Sequence, residues 1–109
     1  MVKAMSKYHN QKTDGFDSKK ERDRYFELKL MERAGQISNL RRQVRFTIIP
    51  KQFDYRGKVL FRERYYVADF VYIQNGRQVV EDTKGYRTDV YRMKKALMYE
   101  RHGILIKET

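Results

Sequence analysis

Apolar side chains recur at helical spacing in two stretches of the chain and alternate with polar ones in the stretches between. The first helix is predicted to begin near Ser18, because Ser18 and Glu21 have the spacing of a capping box, and to end at Gly35. Its broad apolar face should pack toward a sheet. The second helix is predicted over residues 89–101, with Thr88 as its N-cap.

The alternating stretches predict four strands. They cover residues 41–49, 61–73, 77–84 and 104–106. Pro50 ends the first strand, and a polar excursion at 54–58 precedes the second. Asn75-Gly76 favours a two-residue type I′ turn between the second and third strands. The order helix, three strands, helix, strand predicts an α/β fold of the α+β kind with a mixed sheet.

Composition narrows the class of protein. The 109 residues, of which 40% are apolar, suffice for one domain, which we expect at 17–109 behind a flexible polar arm at 1–16. The absence of cysteine excludes a disulfide scaffold and thiolate zinc. No apolar run has the length of a membrane-spanning helix, and the first residues lack the apolar segment of a signal peptide. A cytoplasmic protein with no membrane partner is expected.

The charge indicates a polyanionic partner. Lys and Arg number 25 against 14 Asp and Glu, which gives a net charge of +11. The cations are spread along the chain and interleaved with nine Tyr and six Phe, whose rings can stack on bases. Nucleic acid is therefore favoured. An anionic membrane surface is the main competitor, but no predicted helix is both strongly amphipathic and basic on one face.

Two carboxylates should lie opposite each other in the predicted hairpin. If Asn75 and Gly76 form the loop, Asp69 faces Asp82, and Lys84 lies two residues further along the same face. The surrounding strand is the most apolar stretch of the chain, and a buried carboxylate pair either shares a proton or holds a cation. Mg²⁺ is the natural occupant of an all-oxygen site. The alternatives are a surface-facing pair or a hairpin slipped by one residue.

Glu21 is the predicted third acid, because it shares a helix face with Tyr25 and Leu28. An equally weighted alternative is that Glu21 only closes the capping box with Ser18. Glu81 is next to Asp82 but should point to the opposite face of the sheet, since strand side chains alternate. It is therefore left out of the predicted site.

These residues resemble the PD-(D/E)xK, or restriction-endonuclease-like, nuclease superfamily. The match consists of Asp69, then Asp82-Thr83-Lys84, with Glu21 upstream on a helix and a similar element order; Ala68 stands where the superfamily often has proline. The chain looks closer still to a group of small phage and prophage proteins, long catalogued as a domain of unknown function and related to Holliday-junction-resolvase-like endonucleases. The segments that carry this likeness, within about residues 16–98, are Phe16–Glu21, Ile37–Gln43, Tyr66–Phe70, Val79–Gly85 and Tyr91–Lys95.

The resemblance implies roles for residues. Glu21, Asp69 and Asp82 would hold one or two Mg²⁺ ions, for which Mn²⁺ would substitute, with the Thr83 carbonyl as a further candidate ligand. Lys84 would orient or help deprotonate the attacking water and stabilise the charged phosphate. The residues expected to contact DNA are Lys19, Lys20, Gln43, Arg45, Arg87, Lys94 and Lys95.

The function favoured at this point is a Mg²⁺-dependent DNA endonuclease, selective for branched or Holliday-junction DNA, in phage DNA recombination, replication or processing in a bacterial host. Cleavage of both junction strands needs two active sites, so the resemblance implies a homodimer. The alternatives are a non-catalytic basic nucleic-acid-binding module, in which the acids are structural, and a small protein that packs phage or ribosomal nucleic acid. RNA stays open as a substrate.

Overall fold

The computed structural model describes residues 15–83 and 86–109. In these ranges the elements are α1 (Lys19–Arg33), β1 (Ser38–Ile49), β2 (Gln52–Phe53), β3 (Val59–Phe61), β4 (Arg64–Gln74), β5 (Arg77–Asp82), α2 (Asp89–His102) and β6 (Lys107–Glu108). A four-stranded sheet has the order β1-β4-β5-β6, in which only the β5–β6 pair is parallel. The strands β2 and β3 form a separate antiparallel hairpin. The predicted mixed α+β class is confirmed.

The predicted helix ends are confirmed by their caps. The Ser18 hydroxyl accepts a hydrogen bond of 3.1 Å from the backbone N–H of Glu21, and Thr88 accepts one of 3.0 Å from that of Tyr91. Gly35 follows α1 with a φ of 79°, a left-handed conformation that glycine adopts without steric cost. Local capping chemistry therefore positions the first turn of each helix.

The register of the β4–β5 hairpin is the one that its turn predicts. Asn75 and Gly76 have φ angles of 53° and 75°, as a type I′ turn requires. The pairs run from Gln74–Arg77 to Phe70–Glu81 without a shift. The next opposed position in this register is Asp69 and Asp82, so the prediction that these two acids face each other is supported by the strand pairing.

Several predicted strand boundaries differ from the structure, and the strand predicted at 41–49 begins already at Ser38. The predicted strand 61–73 begins only at Arg64, because Val59–Phe61 pairs instead with β2. The predicted strand 77–84 ends at Asp82. The last strand lies at Lys107–Glu108 rather than at 104–106, since the alternation of buried Ile106 and exposed Leu105 reflects packing on the core before strand pairing begins.

The sheet separates two hydrophobic cores. Leu28 of α1 packs with Ile37, Phe70 and Tyr72 on one side. Tyr91 and Met98 of α2 pack with residues on the other side, which are Ile48, Tyr66, Ala68, Val71, Val80 and Ile106. Ala68 and Phe70 are two residues apart on β4 yet belong to different cores, so the regular alternation of side chains between the two faces is interrupted around Asp69. Asp69 thus lies at the boundary between the cores.

The packed domain begins before residue 17. Phe16, assigned above to the flexible arm, is only 5% exposed, and its ring centroid lies 5.2 Å from that of Tyr25. The Arg42 guanidinium lies over the Phe16 ring, 3.8 Å from the ring centroid. Residues 1–14 lie outside the described part of the chain. Within that part, neither helix has the length and apolar character needed to cross a membrane.

Candidate active site

Side chains from four elements meet at the end of the β4–β5 hairpin that is remote from its turn. The first turn of α1 contributes Glu21, β1 contributes Gln43, β4 contributes Asp69, and the end of β5 contributes Asp82, followed by Thr83. Four of these five are residues that the sequence predicts as catalytic or metal-binding. Hydrogen bonds join Glu21, Gln43, Asp69 and Thr83, whereas Asp82 is bound by Tyr66.

The backbone N–H of Glu21 donates to the N-cap Ser18, and the Glu21 side chain points toward the sheet. It is only 2% exposed, and its Oε2 accepts a hydrogen bond of 3.0 Å from Gln43 Nε2. Burial raises the pKa of the Glu21 carboxyl, as do the negative charges of Asp69 and Asp17, while Arg42 and a backbone hydrogen bond from Asp17 lower it. The Ser18 hydroxyl thus caps the backbone of the first turn, while the Glu21 carboxylate binds Gln43, so capping is not the only role of Glu21.

Asp69 is held by donors from both neighbouring strands. Its Oδ2 accepts hydrogen bonds of 2.8 Å from the backbone N–H and from the hydroxyl of Thr83. Its Oδ1 is 3.4 Å from the same Gln43 amide nitrogen that binds Glu21. Thr83, predicted as a carbonyl ligand, therefore also fixes Asp69 through its own donors.

Asp82 is buried at the end of β5, where Tyr66 donates a hydrogen bond of 2.5 Å to its Oδ2. Burial, this hydrogen bond and the charges of Asp82 and Asp69 together raise the pKa of Tyr66 far above its usual range. Tyr66 therefore fixes the Asp82 carboxylate at the end of its strand.

Glu81 belongs to a different cluster on the α1 side of the sheet. Arg24 binds it with two hydrogen bonds, of 2.9 Å to Oε1 and 2.7 Å to Oε2, and Tyr72 donates to Oε2. Burial alone would raise the pKa of Glu81, but the hydrogen bonds from Arg24 and Tyr72 outweigh it and lower that pKa. Glu81 and Asp82 thus bind tyrosines of different cores, which agrees with the prediction that Glu81 points to the opposite face of the sheet from Asp82.

Gln43 has a backbone conformation that is uncommon for its type. Arg42 pairs with Phe70 and Val44 with Ala68, so Gln43 lies opposite Asp69. Its φ is 53°, and among the described non-glycine residues with positive φ it alone is not asparagine. This conformation costs about 1 kcal/mol or more, and such strain often accompanies a functional constraint. Here it accompanies an amide shared by two acids.

Two open clefts adjoin the end of β5 and carry predicted DNA contacts. One, of about 490 Å³, is lined by Lys19, Lys20 and Thr83 together with Asp23, Arg24, Glu27 and Thr109, and its lining includes none of the three site acids. The second, of about 250 Å³, is lined by Asp82 and Lys94, together with Tyr66, Val67, Thr88, Val90 and Tyr91. The second cleft thus places one predicted DNA-binding lysine, Lys94, beside Asp82. Lys84, the predicted catalytic lysine, lies outside the described residues.

The other predicted DNA-binding residues are engaged elsewhere in the structure. Arg87 and Lys95 form ion pairs with Glu108, at 2.7 and 3.0 Å, and Tyr91 donates to the same carboxylate. These donors lower the pKa of Glu108 to about 2. Arg45 is exposed, with its guanidinium 4.5 Å from the Tyr65 ring centroid.

The hydrogen-bond partners of Asp82 and Glu108 were not predicted from the sequence. Tyr66 lies three residues before Asp69 on the predicted strand, but no local rule connects it with Asp82. Glu108 is 13 to 21 positions from its three partners, and nothing in its neighbourhood in the sequence signals that it gathers them. Such contacts follow from the parallel docking of β6 on β5.

The donor set suits a hard divalent cation. Glu21, Asp69 and Asp82 supply carboxylate oxygens, the ligands that Mg²⁺ and Mn²⁺ prefer. The Gln43 amide hydrogens offset the negative charges of Glu21 and Asp69, and a cation would offset the same repulsion more strongly. Among residues 15–83 and 86–109, no three His, Cys, Asp or Glu side chains are already arranged around one metal position.

One known protein family is similar to this chain over nearly its whole length. A family model described as "Protein of unknown function (DUF1064)" matches residues 5–107, a range that includes all the acids and lysines of the site. No curated protein and no solved structure matches the chain. Because the match covers far more than half of the sequence, the chain belongs to this uncharacterised family.

Proposed function

We propose that this protein is a Mg²⁺-dependent endonuclease that hydrolyses phosphodiester bonds in branched DNA, with a restriction-endonuclease-like core. The single observation that supports the proposal best is the hydrogen bonding of one Gln43 amide to both Glu21 and Asp69, beside the position where Asp82 ends its strand. A protein that only holds DNA gains nothing from acids that face one another near its contact surface. A protein that brings a divalent cation to a phosphate needs them.

The charge distribution supports nucleic acid as the substrate. Asp82 and Lys94 line one cleft, and Lys19 and Lys20 directly precede Glu21 on α1, in a chain with a net charge of +11. Lysines bind phosphate oxygens without regard to sequence, so recognition through the backbone and shape of DNA is favoured. Positive potential around a negative centre also draws the strand toward the acids.

Each described residue has a distinct task in this proposal. Glu21, Asp69 and Asp82 would hold Mg²⁺ or Mn²⁺. Gln43 and Thr83 are positioning residues for Asp69, and Tyr66 is one for Asp82. A bound divalent cation would supply an acidic site for the attacking water and neutralise charge on the phosphate.

The lysines complete the proposed site. Lys94, in the cleft beside Asp82, binds a phosphate oxygen of the strand, and Lys84 stabilises the charge that grows on the scissile phosphate. Cleavage of both strands of a junction requires a homodimer. Action on phage or prophage DNA in the cytoplasm of a bacterial host also belongs to the proposal.

The test is incubation of the protein with single-stranded, duplex, forked and four-way-junction DNA, and with single-stranded RNA, in EDTA, Mg²⁺ or Mn²⁺. Wild type should nick forked or junction DNA only when the divalent cation is present. Asp69→Asn and Asp82→Asn should reduce the rate by at least about 10–100-fold, because each keeps the shape of the side chain but removes its charge. Asp89→Asn is the matched control, since Asp89 is exposed on α2.

Two results would reject the proposal. Wild type could bind these DNAs and cut none of them in either cation, which would favour the non-catalytic binding module. Alternatively, Asp69→Asn and Asp82→Asn could cut as fast as Asp89→Asn, which would show that the acids are structural. Faster cleavage of RNA than of any DNA would change the substrate but keep the chemistry.

A further inference from the structure

The β2–β3 hairpin exposes an unusual amount of apolar surface. Phe53, Leu60 and Phe61 are each more than half exposed, and Tyr55 at the tip is 89% exposed. None of them belongs to either hydrophobic core. Contiguous apolar side chains that a fold leaves in water indicate an interaction surface.

Hydrogen bonds of Asp54 stabilise the turn at the tip of this hairpin. Asp54 Oδ1 accepts hydrogen bonds from the backbone N–H groups of Arg56 and Lys58, at 2.8 and 2.9 Å, and the Asp54 N–H donates to the Lys58 carbonyl at 2.8 Å. Gly57 has a φ of 85°, a backbone conformation that glycine adopts easily and residues with a side chain rarely adopt. Tyr55 is therefore presented on an ordered turn, which lowers the entropy lost on binding.

The charge of the hairpin favours nucleic acid as the partner. Residues 51–64 contain five Lys or Arg and two Asp or Glu, and one of those acids, Asp54, is used in the turn. The Arg56 guanidinium lies 5.4 Å from the Tyr55 ring centroid. Exposed aromatic rings among cations are the combination that stacks on unpaired bases while holding the backbone. An apolar protein partner would not account for the cations.

The β2–β3 hairpin leads into the start of β4, and Asp69 lies further along that strand. It connects β1 to β4, and Arg64 at the start of β4 is five residues from Asp69, which corresponds to about 17 Å of extended strand. That length spans about five base pairs of DNA. A strand whose phosphate reaches the acids can therefore present bases to the hairpin.

We propose that the β2–β3 hairpin binds unpaired bases of the DNA by stacking on Tyr55 and Phe53, and so directs the protein to branched rather than fully paired DNA. This rests on the proposed function for its ligand, but it concerns binding and not cleavage. The hairpin makes the selection, and the acids act at a phosphate several nucleotides away.

The experiment measures binding of the full chain in EDTA, where no divalent cation supports cleavage. The probes are a forked DNA with 2-aminopurine in its unpaired arm and a fully paired duplex of the same length, and the readouts are fluorescence anisotropy and 2-aminopurine quenching. Wild type should bind the fork more tightly and quench the probe. Tyr55→Ala and Phe53→Ala should each weaken fork binding by about five-fold or more and leave duplex binding nearly unchanged.

The controls separate stacking from folding and from charge. Tyr99→Ala removes an exposed tyrosine of α2 and should bind both DNAs as wild type does. Arg56→Gln should weaken binding to fork and duplex alike, since it removes a positive charge that would attract the phosphate backbone of either DNA. Circular dichroism should show all variants folded, because none of these side chains belongs to a core.

The proposal is overturned if the Tyr55→Ala and Phe53→Ala variants keep wild-type preference for the fork, or if no quenching occurs in wild type. It is also overturned if sedimentation velocity shows a dimer that Tyr55→Ala dissociates while fork binding is unchanged, since the hairpin is then an interface between copies. A protein that prefers forks through Tyr55 but never cuts DNA would reject only the nuclease proposal.

Discussion

The side-chain amide of Gln43 donates a hydrogen bond of 3.0 Å to the buried carboxylate of Glu21, and so connects the middle of β1 to the first turn of α1. The donor is held in a strained backbone conformation and the acceptor has a raised pKa. Both features cost stability. A fold that keeps them without a ligand is expected to become more stable when a cation neutralises the acids.

Glu21→Gln is expected to stabilise the protein at neutral pH in EDTA. Burial and the charge of Asp69 raise the pKa of Glu21, so the ionised form is disfavoured in the folded state. Wild type should therefore lose stability as the pH rises above 4.5, the ordinary value of this carboxyl, and through its folded pKa. The glutamine variant should show no such loss. Thermal melts across this pH range measure the difference.

Glu27→Gln is the matched control for this change, because Glu27 is on the same helix with an exposed side chain. It should leave the pH dependence as in wild type. If Glu21→Gln is no more stable than wild type at neutral pH and its stability follows the same pH dependence, the ionised Glu21 carboxylate does not destabilise the fold.

Gln43→Glu is expected to make the protein dependent on divalent cations for stability. The substitution places a third carboxylate beside Glu21 and Asp69 and removes the amide hydrogens that they share. We expect a loss of about 1–3 kcal/mol in the free energy of unfolding in EDTA, from repulsion and from unpaired acceptors. Mg²⁺ or Mn²⁺ should restore most of it, and should raise the melting temperature more than in wild type.

Gln78→Glu makes the same chemical change at an exposed position of β5 and should respond to neither EDTA nor Mg²⁺. Equal responses of the two variants to Mg²⁺ would argue against a cation site at Glu21 and Asp69. Urea denaturation with each cation gives the comparison.

Arg24→Ala is expected to destabilise the fold strongly. It would leave Glu81, which is fully buried, without its bidentate partner, and uncompensated buried charges of this kind cost about 3–5 kcal/mol. Adding Glu81→Gln to this variant should recover part of the loss, because the buried charge is gone. Arg101→Ala, at an exposed site of α2, should change the free energy of unfolding by less than about 0.5 kcal/mol in urea denaturation.

Glu108→Gln is expected to reduce stability at pH 7 by about 1–2 kcal/mol, because Tyr91, Arg87 and Lys95 all donate to the ionised carboxylate. These bonds lower the pKa of Glu108 to about 2 from an ordinary value of 4.5. The wild-type advantage should be complete above pH 4.5 and disappear as the pH falls toward 2.

Glu100→Gln removes an exposed carboxylate of α2 and is the matched control for Glu108→Gln. A Glu108→Gln variant that unfolds in parallel with it at every pH would show that the cluster around Glu108 contributes no net stability.

Hairpin and cap positions could be predicted because they depend on neighbours in the chain. Asn75 and Gly76 both take positive φ, and a two-residue turn allows one register, so the sequence alone predicts that Asp69 lies opposite Asp82 and that Glu81 points to the other face. The Ser18 and Thr88 caps followed from spacing alone.

Short or remote pairings could not be predicted in this way. The β2 and β3 strands have two and three residues, too few for an alternating pattern, and β6 forms only where the end of α2 returns the chain to β5. The contact of Gln43 with Glu21 spans 22 positions and depends on how α1 docks on the sheet.

The sequence by itself determined the helices, the central hairpin, its opposed acids and the basic character of the chain, because caps, turns and charge are local or summed properties. The tertiary structure alone decided that Glu21 meets Asp69 through Gln43, that Tyr66 binds Asp82, and that Arg24 neutralises Glu81. Those contacts join residues far apart in the chain, and they exist only because packing the two cores brings particular helix faces onto the sheet.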